Sequence, residues 1–228
     1  MRLLLIRHGQ TPSNVSGALD TARPGAPLTR LGHAQAQAIP SALAGEEVDG
    51  VYASPLVRTQ LTATPLAQAL GLGVRVTEGL EEIAAGGFEM RTDEDSVRAY
   101  IETVAAWAEG DVRRVMPGGA DGREFFERYD AAIRAIAAAH RPDATVAAVS
   151  HGAAIRLWAS TRGANVDTLE AVQRRLMNTG LAALEGDPDR GWELVRWQSE
   201  PLGGLDLQDL VAHDVTGEPE DEATDGAR

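Results

Sequence analysis

Short apolar runs alternate along the chain with longer stretches in which apolar residues return every three or four positions. The short runs are typical of buried strands, and the longer periodicity is typical of amphipathic helices. Six strands are predicted, over residues 3–6, 51–54, 74–77, 145–150, 181–185 and 192–197. The first four have the apolar character of parallel strands that are covered on both faces. The alternation of strands and helices predicts an α/β fold.

Helices are predicted between these strands, from Thr29 toward Leu43, from Ser54 to Leu70, over 93–107, over 122–139 and over 151–160. Ser54 followed by Pro55 has the form of a helix cap with proline in the first helical position. Pro40 is expected to kink or restart the first of these helices. Residues 186–191, between the last two strands, are rich in turn-forming types and predict a hairpin or an edge.

The length of the chain fits one domain. With 228 residues and no evident linker, the sequence is interpreted as a single domain over residues 1–212. Residues 214–225 are acidic and contain few apolar residues, so residues 213–228 are predicted to form a disordered tail. No apolar run approaches the roughly 20 residues that span a bilayer, and the amino-terminal run is too short for a signal peptide. A soluble cytoplasmic protein is therefore expected.

Composition excludes several classes of function. The formal net charge of -13 is unsuited to a protein that binds nucleic acid through a basic face. There is no cysteine, which excludes disulfides and thiolate metal sites. All 21 basic residues are arginine, so a lysine Schiff base and the lysine of a phosphate-binding P-loop are excluded as well.

Two of the predicted strands end in the same pair of residues. The first strand leads into Arg7-His8-Gly9, and the fourth leads into His151-Gly152. Ligands of α/β proteins bind at the carboxyl ends of the strands. Two imidazoles and an arginine at that edge indicate chemistry on a phosphate group, because arginine presents planar donors to phosphate oxygens.

Several short blocks along the chain resemble one family. The first is Arg7-His8-Gly9-Gln10-Thr11 with Asn14, and the later ones are Leu28-Thr29, Ser54-Pro55-Leu56 with Arg58, Leu80 with Glu82, Pro117-Gly118-Gly119, Val149-Ser150-His151-Gly152 and Asn178-Thr179-Gly180. Together they closely resemble the histidine phosphatase superfamily, and within it the phosphoglycerate-mutase-like branch. The resemblance implies a three-layer α/β/α fold with a mostly parallel central sheet, in which a helical insertion over residues 86–124 covers the active site.

The chemistry of phosphate esters suits the residues at the strand ends. A neutral imidazole can attack a phosphomonoester once the charge of the phosphate is offset, which makes His8, expected to be exposed at its strand end, the predicted nucleophile. The hydrolysis then proceeds through a phosphohistidine. The predicted phosphate-binding residues are Arg7, Asn14, Arg58, His151 and Gly152.

The leaving group needs a proton, and the resemblance selects Glu82 as its donor, with Glu81 as a surface carboxylate and Glu89 as the competing candidate. An ordinary glutamate has a pKa of about 4.3, so the pocket must raise the pKa of Glu82. A metal cation bound by His8, His151 and Glu82 would be repelled by the positive charges of the two arginines. No metal and no cofactor is therefore expected.

The sequence departs from phosphoglycerate mutases after Glu82. Those enzymes carry a basic, lysine-containing stretch there, whereas residues 83–90 are apolar and glycine-rich. The residues predicted to contact the non-phosphate part of the substrate are Phe88, Met90, Arg91, Met116 and Arg123.

Three hypotheses of function follow. The leading one is a metal-independent phosphomonoesterase that hydrolyses a small phosphorylated metabolite. The first alternative is a phosphoglycerate-type mutase, and the second is an inactive protein that binds a phosphorylated ligand. The expected partner is a small phosphate ester and neither nucleic acid nor a membrane, while a homodimer is left open.

Overall fold

The central sheet has six strands in the computed structural model, which describes residues 1–209, 211–212 and 214–218. They are β1 (Arg2–Arg7), β2 (Val48–Ala53), β3 (Val74–Val76), β4 (Thr145–Ser150), β5 (Leu181–Asp187) and β6 (Gly191–Gln198). Their order is β3-β2-β4-β1-β5-β6, with β1 to β4 parallel and β5 and β6 joined antiparallel at one edge. The mostly parallel sheet and the edge hairpin are confirmed. The expected cover on both faces is wrong for β3, which lies at the edge of the sheet with Val76 exposed.

The helices of the described residues are α1 (Pro12–Ser16), α2 (Arg30–Ala42), α3 (Val57–Ala69), α4 (Glu94–Ala108), α5 (Gly122–Ala138), α6 (Gly152–Arg162) and α7 (Thr168–Val172). The five longer ones correspond to the predicted helices. The sequence did not predict α1 and α7, because a helix of five residues is too short to show a periodic pattern. None of the described helices has the length and hydropathy needed to cross a membrane.

Two apolar cores lie on opposite faces of the sheet. Successive side chains of β1 point to opposite faces, so Leu4 and Ile6 pack with α2 and α3, whereas Leu3 and Leu5 pack with α4, α5 and α6. All four of these side chains are fully buried. The helices therefore cover both faces, and the predicted three-layer α/β/α arrangement is confirmed.

Two local predictions about proline and capping were wrong. Helix α3 begins at Val57 with Leu56 in the capping position and no capping side chain, so Ser54 does not cap it. The Ser54 hydroxyl instead bonds to His151. Helix α2 runs through Pro40 to Ala42 and does not restart there, although Pro40 has no N–H to donate to the carbonyl oxygen of Ala36. A kink at Pro40 stays a prediction.

The predicted disordered tail is corrected where the structure describes it. Residues 214–218 pack against the carboxyl edge of the sheet, and the side chain of Val215 is buried in the core with α4 and α6. The domain thus extends beyond residue 212. The acidic composition of this segment did not predict its contacts, because its partners, among them Arg7 and Arg156, are distant in the sequence. Residues 213 and 219–228 lie outside the described residues.

Close backbone contacts fasten α2 to the loop that follows β1. A Cβ on Gly32 would lie 2.1 Å from the carbonyl oxygen of Gln10, and a Cβ on Gly9 would lie 2.6 Å from the carbonyl oxygen of Gly32. Thr29 caps α2 by accepting from the Gly32 N–H, and its own N–H donates to Gln10. The first turn of α2 therefore holds the loop that carries His8.

We expect Gly32→Ala to lower the free energy of unfolding by about 1–3 kcal/mol, because the added methyl group meets backbone that cannot turn away. Alanine is the better helix former, so propensity alone predicts the opposite sign. Urea unfolding followed by circular dichroism measures the difference. Gly45→Ala is the matched control, since nothing lies within 4 Å of its added Cβ. Equal stability of both variants would contradict the packing argument.

Candidate active site

The two His-Gly pairs meet at the carboxyl edge of the sheet. Strands β1 and β4 are parallel neighbours with Arg7 paired to Ser150, so His8 and His151 leave the sheet side by side. Their ring centroids are 5.3 Å apart. His8 was expected to be exposed at its strand end, but it is only 3% exposed, and His151 is fully buried. The sheet thus places both imidazoles in one enclosed site.

The surroundings of His8 select a neutral ring with a free Nε2 atom. Its Nδ1 atom lies 2.8 Å from the carbonyl oxygen of Gly9, which can only accept, so Nδ1 carries the proton. Burial lowers the pKa of His8 well below its usual value, and the positive charges of Arg58 and Arg7 lower it further. Nε2 is therefore unprotonated at neutral pH, as nucleophilic attack requires.

Arg58 reaches the site from the first turn of α3. Its Nη2 donates to the carbonyl oxygen of Asp20 at 2.8 Å, and its Nη1 lies 3.6 Å from a carboxylate oxygen of the same residue. Its Nε and Nη1 atoms are buried without a hydrogen-bond partner. The guanidinium is thus oriented by Asp20 and retains donors for a ligand.

Arg7 is fully buried and is already bound to a carboxylate. Its Nη1 donates to the carbonyl oxygen of Leu176 at 2.7 Å, and both terminal nitrogens donate to Asp214. Nη2 also donates to the hydroxyl of Thr216 at 3.0 Å, while Nε has no partner. The amide nitrogen of Asn14 donates to Asp214 at 2.9 Å. Two of the predicted phosphate-binding residues therefore converge on one anion.

Neighbouring groups fix the orientation of Asn14. Its Oδ1 atom accepts from the N–H of Thr11 at 2.9 Å and from the amide of Asn178 at 3.3 Å, which turns Nδ2 toward the site. Asn178 also donates to the carbonyl oxygen of His8 at 3.1 Å. Asn178 lies in one of the blocks that resemble the family, and its role in orienting Asn14 was not predicted.

A hydroxyl pair sets the tautomer of His151. The Thr59 hydroxyl donates to the backbone carbonyl of Ser54 or Leu56, so its oxygen accepts from the Ser54 hydroxyl at 2.9 Å. The Ser54 oxygen in turn accepts from Nε2 of His151 at 2.7 Å. Nδ1 of His151 is buried without a partner. Sequence reasoning missed this role of Ser54 because it treated the residue as a helix cap.

The pKa of His151 lies well below its usual value, mainly because of burial and then because of the charge on Arg58. Its ring is therefore neutral in this state. An anion placed beside Nδ1 would raise the pKa again and favour the imidazolium form. His151 can thus add a positive charge to the site when a phosphate binds.

Glu82, in the loop after β3, is buried against the amino terminus of α6. Its carboxylate accepts from the N–H groups of Ile83 at 2.9 Å, Ala154 at 2.8 Å and Ala153 at 3.2 Å. Burial raises its pKa, although these N–H groups and Arg58 oppose the rise. A raised pKa is what the predicted role of Glu82 as proton donor requires. Glu89, the competing candidate, accepts instead from Thr21 and from the Ala22 N–H, and it does not line the cavity at His8.

A very small cavity remains between these groups. Its volume is about 10 Å³, and its lining residues are His8, Thr11, Ser13, Asn14, Ala18, Asp20, Arg58, Glu82 and Thr216. Around it, the buried nitrogens without partners are Nε of Arg7, Nε and Nη1 of Arg58 and Nδ1 of His151. The three arginine nitrogens are donors, and unpaired buried donors are costly, so they are suited to an oxyanion. Nδ1 of the neutral His151 ring becomes a donor only when the ring takes up a proton. No group of three or more metal-ligating side chains occurs among the described residues.

The residues predicted to contact the rest of the substrate lie apart from this cavity. Phe88, Met90 and Arg91 do not line it, Met90 is 57% exposed, and Arg91 pairs with Asp93. Met116 is buried in the core, and Arg123 pairs with Asp121. Gly152 is in the site, since a Cβ there would lie 2.9 Å from Nε of Arg7. Contact of the first three residues with substrate stays a prediction.

Known proteins are similar to this chain over most of its length. The PE-PGRS family protein PE_PGRS11 of Mycobacterium tuberculosis is 37% identical over 225 residues, which are 92% of this chain and 38% of that protein. The adenosylcobalamin/alpha-ribazole phosphatase of Escherichia coli is 35% identical over 128 residues, which are 56% of this chain. The chain spans 62% of the length of this second relative.

A solved structure has the same fold. The alpha-ribazole phosphatase of Shigella flexneri superposes with a TM-score of 0.69 at 27% identity, over 90% of this chain and 99% of the other. The family model for branch 1 of the histidine phosphatase superfamily matches residues 3–200, which include His8, Arg58, Glu82 and His151. With the paired His-Gly strand ends at one sheet edge and this match over most of its length, the chain belongs to branch 1 of the histidine phosphatase superfamily.

Proposed function

We propose that the chain is a metal-independent phosphomonoesterase that acts on small phosphorylated metabolites through a phosphohistidine on His8. The observation that carries the proposal is a neutral, buried imidazole surrounded by guanidinium donors that lack partners. Two of the similar proteins are named as phosphatases, which supports the same conclusion.

In the first step the phosphate oxygens take hydrogen bonds from Arg7, Arg58, Asn14 and protonated His151. Nε2 of His8 attacks phosphorus as the bond to the leaving oxygen breaks. These donors stabilise charge on the equatorial oxygens of the in-line transition state. The carboxylic acid of Glu82 gives its proton to the leaving oxygen, and an alcohol departs.

The second step regenerates the enzyme. The carboxylate of Glu82 takes a proton from water, the water oxygen attacks phosphorus, and the P–N bond to His8 breaks. Inorganic phosphate leaves, with His8 again neutral and Glu82 again protonated. The N–H groups of Ile83, Ala153 and Ala154 stabilise the carboxylate between the two steps, since all three hydrogen-bond to it.

The described residues favour hydrolysis over the two alternatives. A mutase must hold a doubly phosphorylated intermediate, and residues 83–90 offer no basic side chain for the second phosphate. A binding protein without catalysis would not require the raised pKa of Glu82. With 3-phosphoglycerate, release of phosphate indicates a phosphatase, conversion to the 2-isomer indicates a mutase, and no reaction with any phosphate ester indicates a binding protein.

We expect His8→Ala to abolish hydrolysis of 4-nitrophenyl phosphate, because no other described side chain offers the attacking Nε2 atom at this position. Acid-labile phosphate should be found on His8 by mass spectrometry of quenched wild-type protein. His33→Ala is the matched control, since His33 is exposed on α2, and it should retain full activity. Wild-type activity in His8→Ala would refute the covalent mechanism.

Arg58→Ala should reduce kcat/KM by about 10² or more, which is the usual effect of losing a preorganised transition-state donor. Inhibition by orthovanadate, a mimic of five-coordinate phosphorus, should weaken in parallel, and EDTA should have no effect. Arg30→Ala, at an exposed position of α2, serves as the control. Loss of activity in EDTA that added divalent metal restores would refute the metal-independent reaction.

The pKa directions predict a bell-shaped pH profile for phosphorylation. The rate rises as His8 loses its proton, at a pKa below its usual value, and falls as Glu82 loses its proton, at a pKa above its usual value. The optimum should therefore lie between the pKa of His8 and the pKa of Glu82, and Glu82→Gln should remove the alkaline limb. Single-turnover rates measured from pH 4 to pH 9 test this.

Two substrates with different leaving groups test whether Glu82 is the proton donor. Glu82→Gln should slow an alkyl phosphate far more than 4-nitrophenyl phosphate, because nitrophenolate departs without a proton. Glu81→Gln is the neighbouring control, since Glu81 pairs with Arg23 and Arg128 outside the cavity. The comparison uses the burst rate, which reports phosphorylation alone, because Glu82→Gln also slows the later hydrolysis of phosphohistidine. Equal loss of the burst rate for both substrates would remove Glu82 from this role and favour Glu89.

A further inference from the structure

A carboxylate of the chain itself occupies the position at which a phosphate would bind. Asp214 accepts from both terminal nitrogens of Arg7 and from the amide of Asn14. Arginine binds carboxylate and phosphate with the same two-pronged geometry. The donors proposed for the substrate's phosphate are thus partly used by an internal anion.

The same segment leaves no room for a phosphate. Thr216 lines the cavity at His8, whose volume of about 10 Å³ is at the lower limit for one water molecule. A Cβ on Gly217 would lie 1.8 Å from Nη1 of Arg7, and a Cβ on Gly152 would lie 2.4 Å from the carbonyl oxygen of Thr216. Phosphate and this segment therefore exclude each other.

Two further contacts hold the segment in place. Val215 is buried beside a cavity of about 40 Å³ whose lining includes Tyr100, Val104 and Ala153. Arg156 on α6 donates to the backbone carbonyls of Thr216 and Glu218. Ala153 is also one of the residues whose N–H groups bond to Glu82, so the segment packs beside the helix turn that holds the proposed proton donor.

We propose that residues 214–218 are an internal competitor of the substrate, with Asp214 in the place of the phosphate. Naming the phosphate as the displaced ligand rests on the proposed function. Only the fraction of molecules with the segment withdrawn binds substrate, so the apparent dissociation constant equals the intrinsic one divided by that fraction. Weakening the segment should therefore tighten binding of any ligand for the phosphate position.

Binding of inorganic phosphate to the full chain tests this without turnover. By isothermal titration calorimetry, Asp214→Asn should lower the dissociation constant by about tenfold or more, because removing the charge weakens the internal competitor. Asp206→Asn, an exposed acid of the same carboxyl-terminal region, should leave the constant unchanged. The same or weaker binding in Asp214→Asn would overturn the proposal.

A second variant displaces the segment and keeps its charge. Gly217→Ala places a methyl group 2.7 Å from the backbone carbonyl oxygen of Leu176 as well as against Arg7, so the segment has to move away. It should therefore tighten phosphate binding in the same direction, with Gly45→Ala as the control. Both segment variants should also lower KM for 4-nitrophenyl phosphate. If Gly217→Ala fails to fold, Asp214→Asn alone decides the outcome.

The experiments distinguish a failure of the proposed phosphatase activity from a failure of the internal competitor. Tighter phosphate binding in a protein that hydrolyses no phosphate ester would refute the phosphatase and retain the internal competitor. Hydrolysis by the wild type with unchanged phosphate binding in Asp214→Asn would refute the competitor alone.

Discussion

Two guanidinium groups buried at the edge of the sheet determine the chemistry of this site. Arg7 and Arg58 are almost entirely removed from water, and donors of both are left without partners. Their charge adds to burial in keeping His8 neutral, and that of Arg58 does the same for His151. The same positive potential attracts an oxyanion, so in the proposed mechanism one arrangement both prepares the nucleophile and binds its substrate.

The fold supplies this arrangement through strand order. Because β1 and β4 are parallel neighbours, two strands deliver an imidazole each to one point. The first turns of α3 and α6 begin at the same edge, where α3 adds Arg58 and α6 offers N–H groups to Glu82. A buried glutamate with a raised pKa thus shares the site with a buried histidine with a lowered one, and both shifts are in the direction that the proposed proton transfers require.

A site of this kind is costly when its donors are unpaired. Asp214 reduces that cost by accepting from Arg7 and Asn14. The carboxyl-terminal region has the acidic composition of an unstructured tail. One of its acidic residues, Asp214, nevertheless binds the buried guanidinium of Arg7.

The sequence by itself determined the features that depend on local pattern. Apolar runs marked the six strands, and the residues after β1 and β4 marked His8 and His151, because strand ends and their neighbours are adjacent in the chain. Only the tertiary structure decided what depends on distant partners. Ser54 has the sequence context of a helix cap, yet it bonds to His151, and residues 214–218 have the composition of a tail, yet they pack on Arg7. Burial is the main cause of the pKa shifts of His8 and Glu82, and these side chains are buried only once the layers have packed.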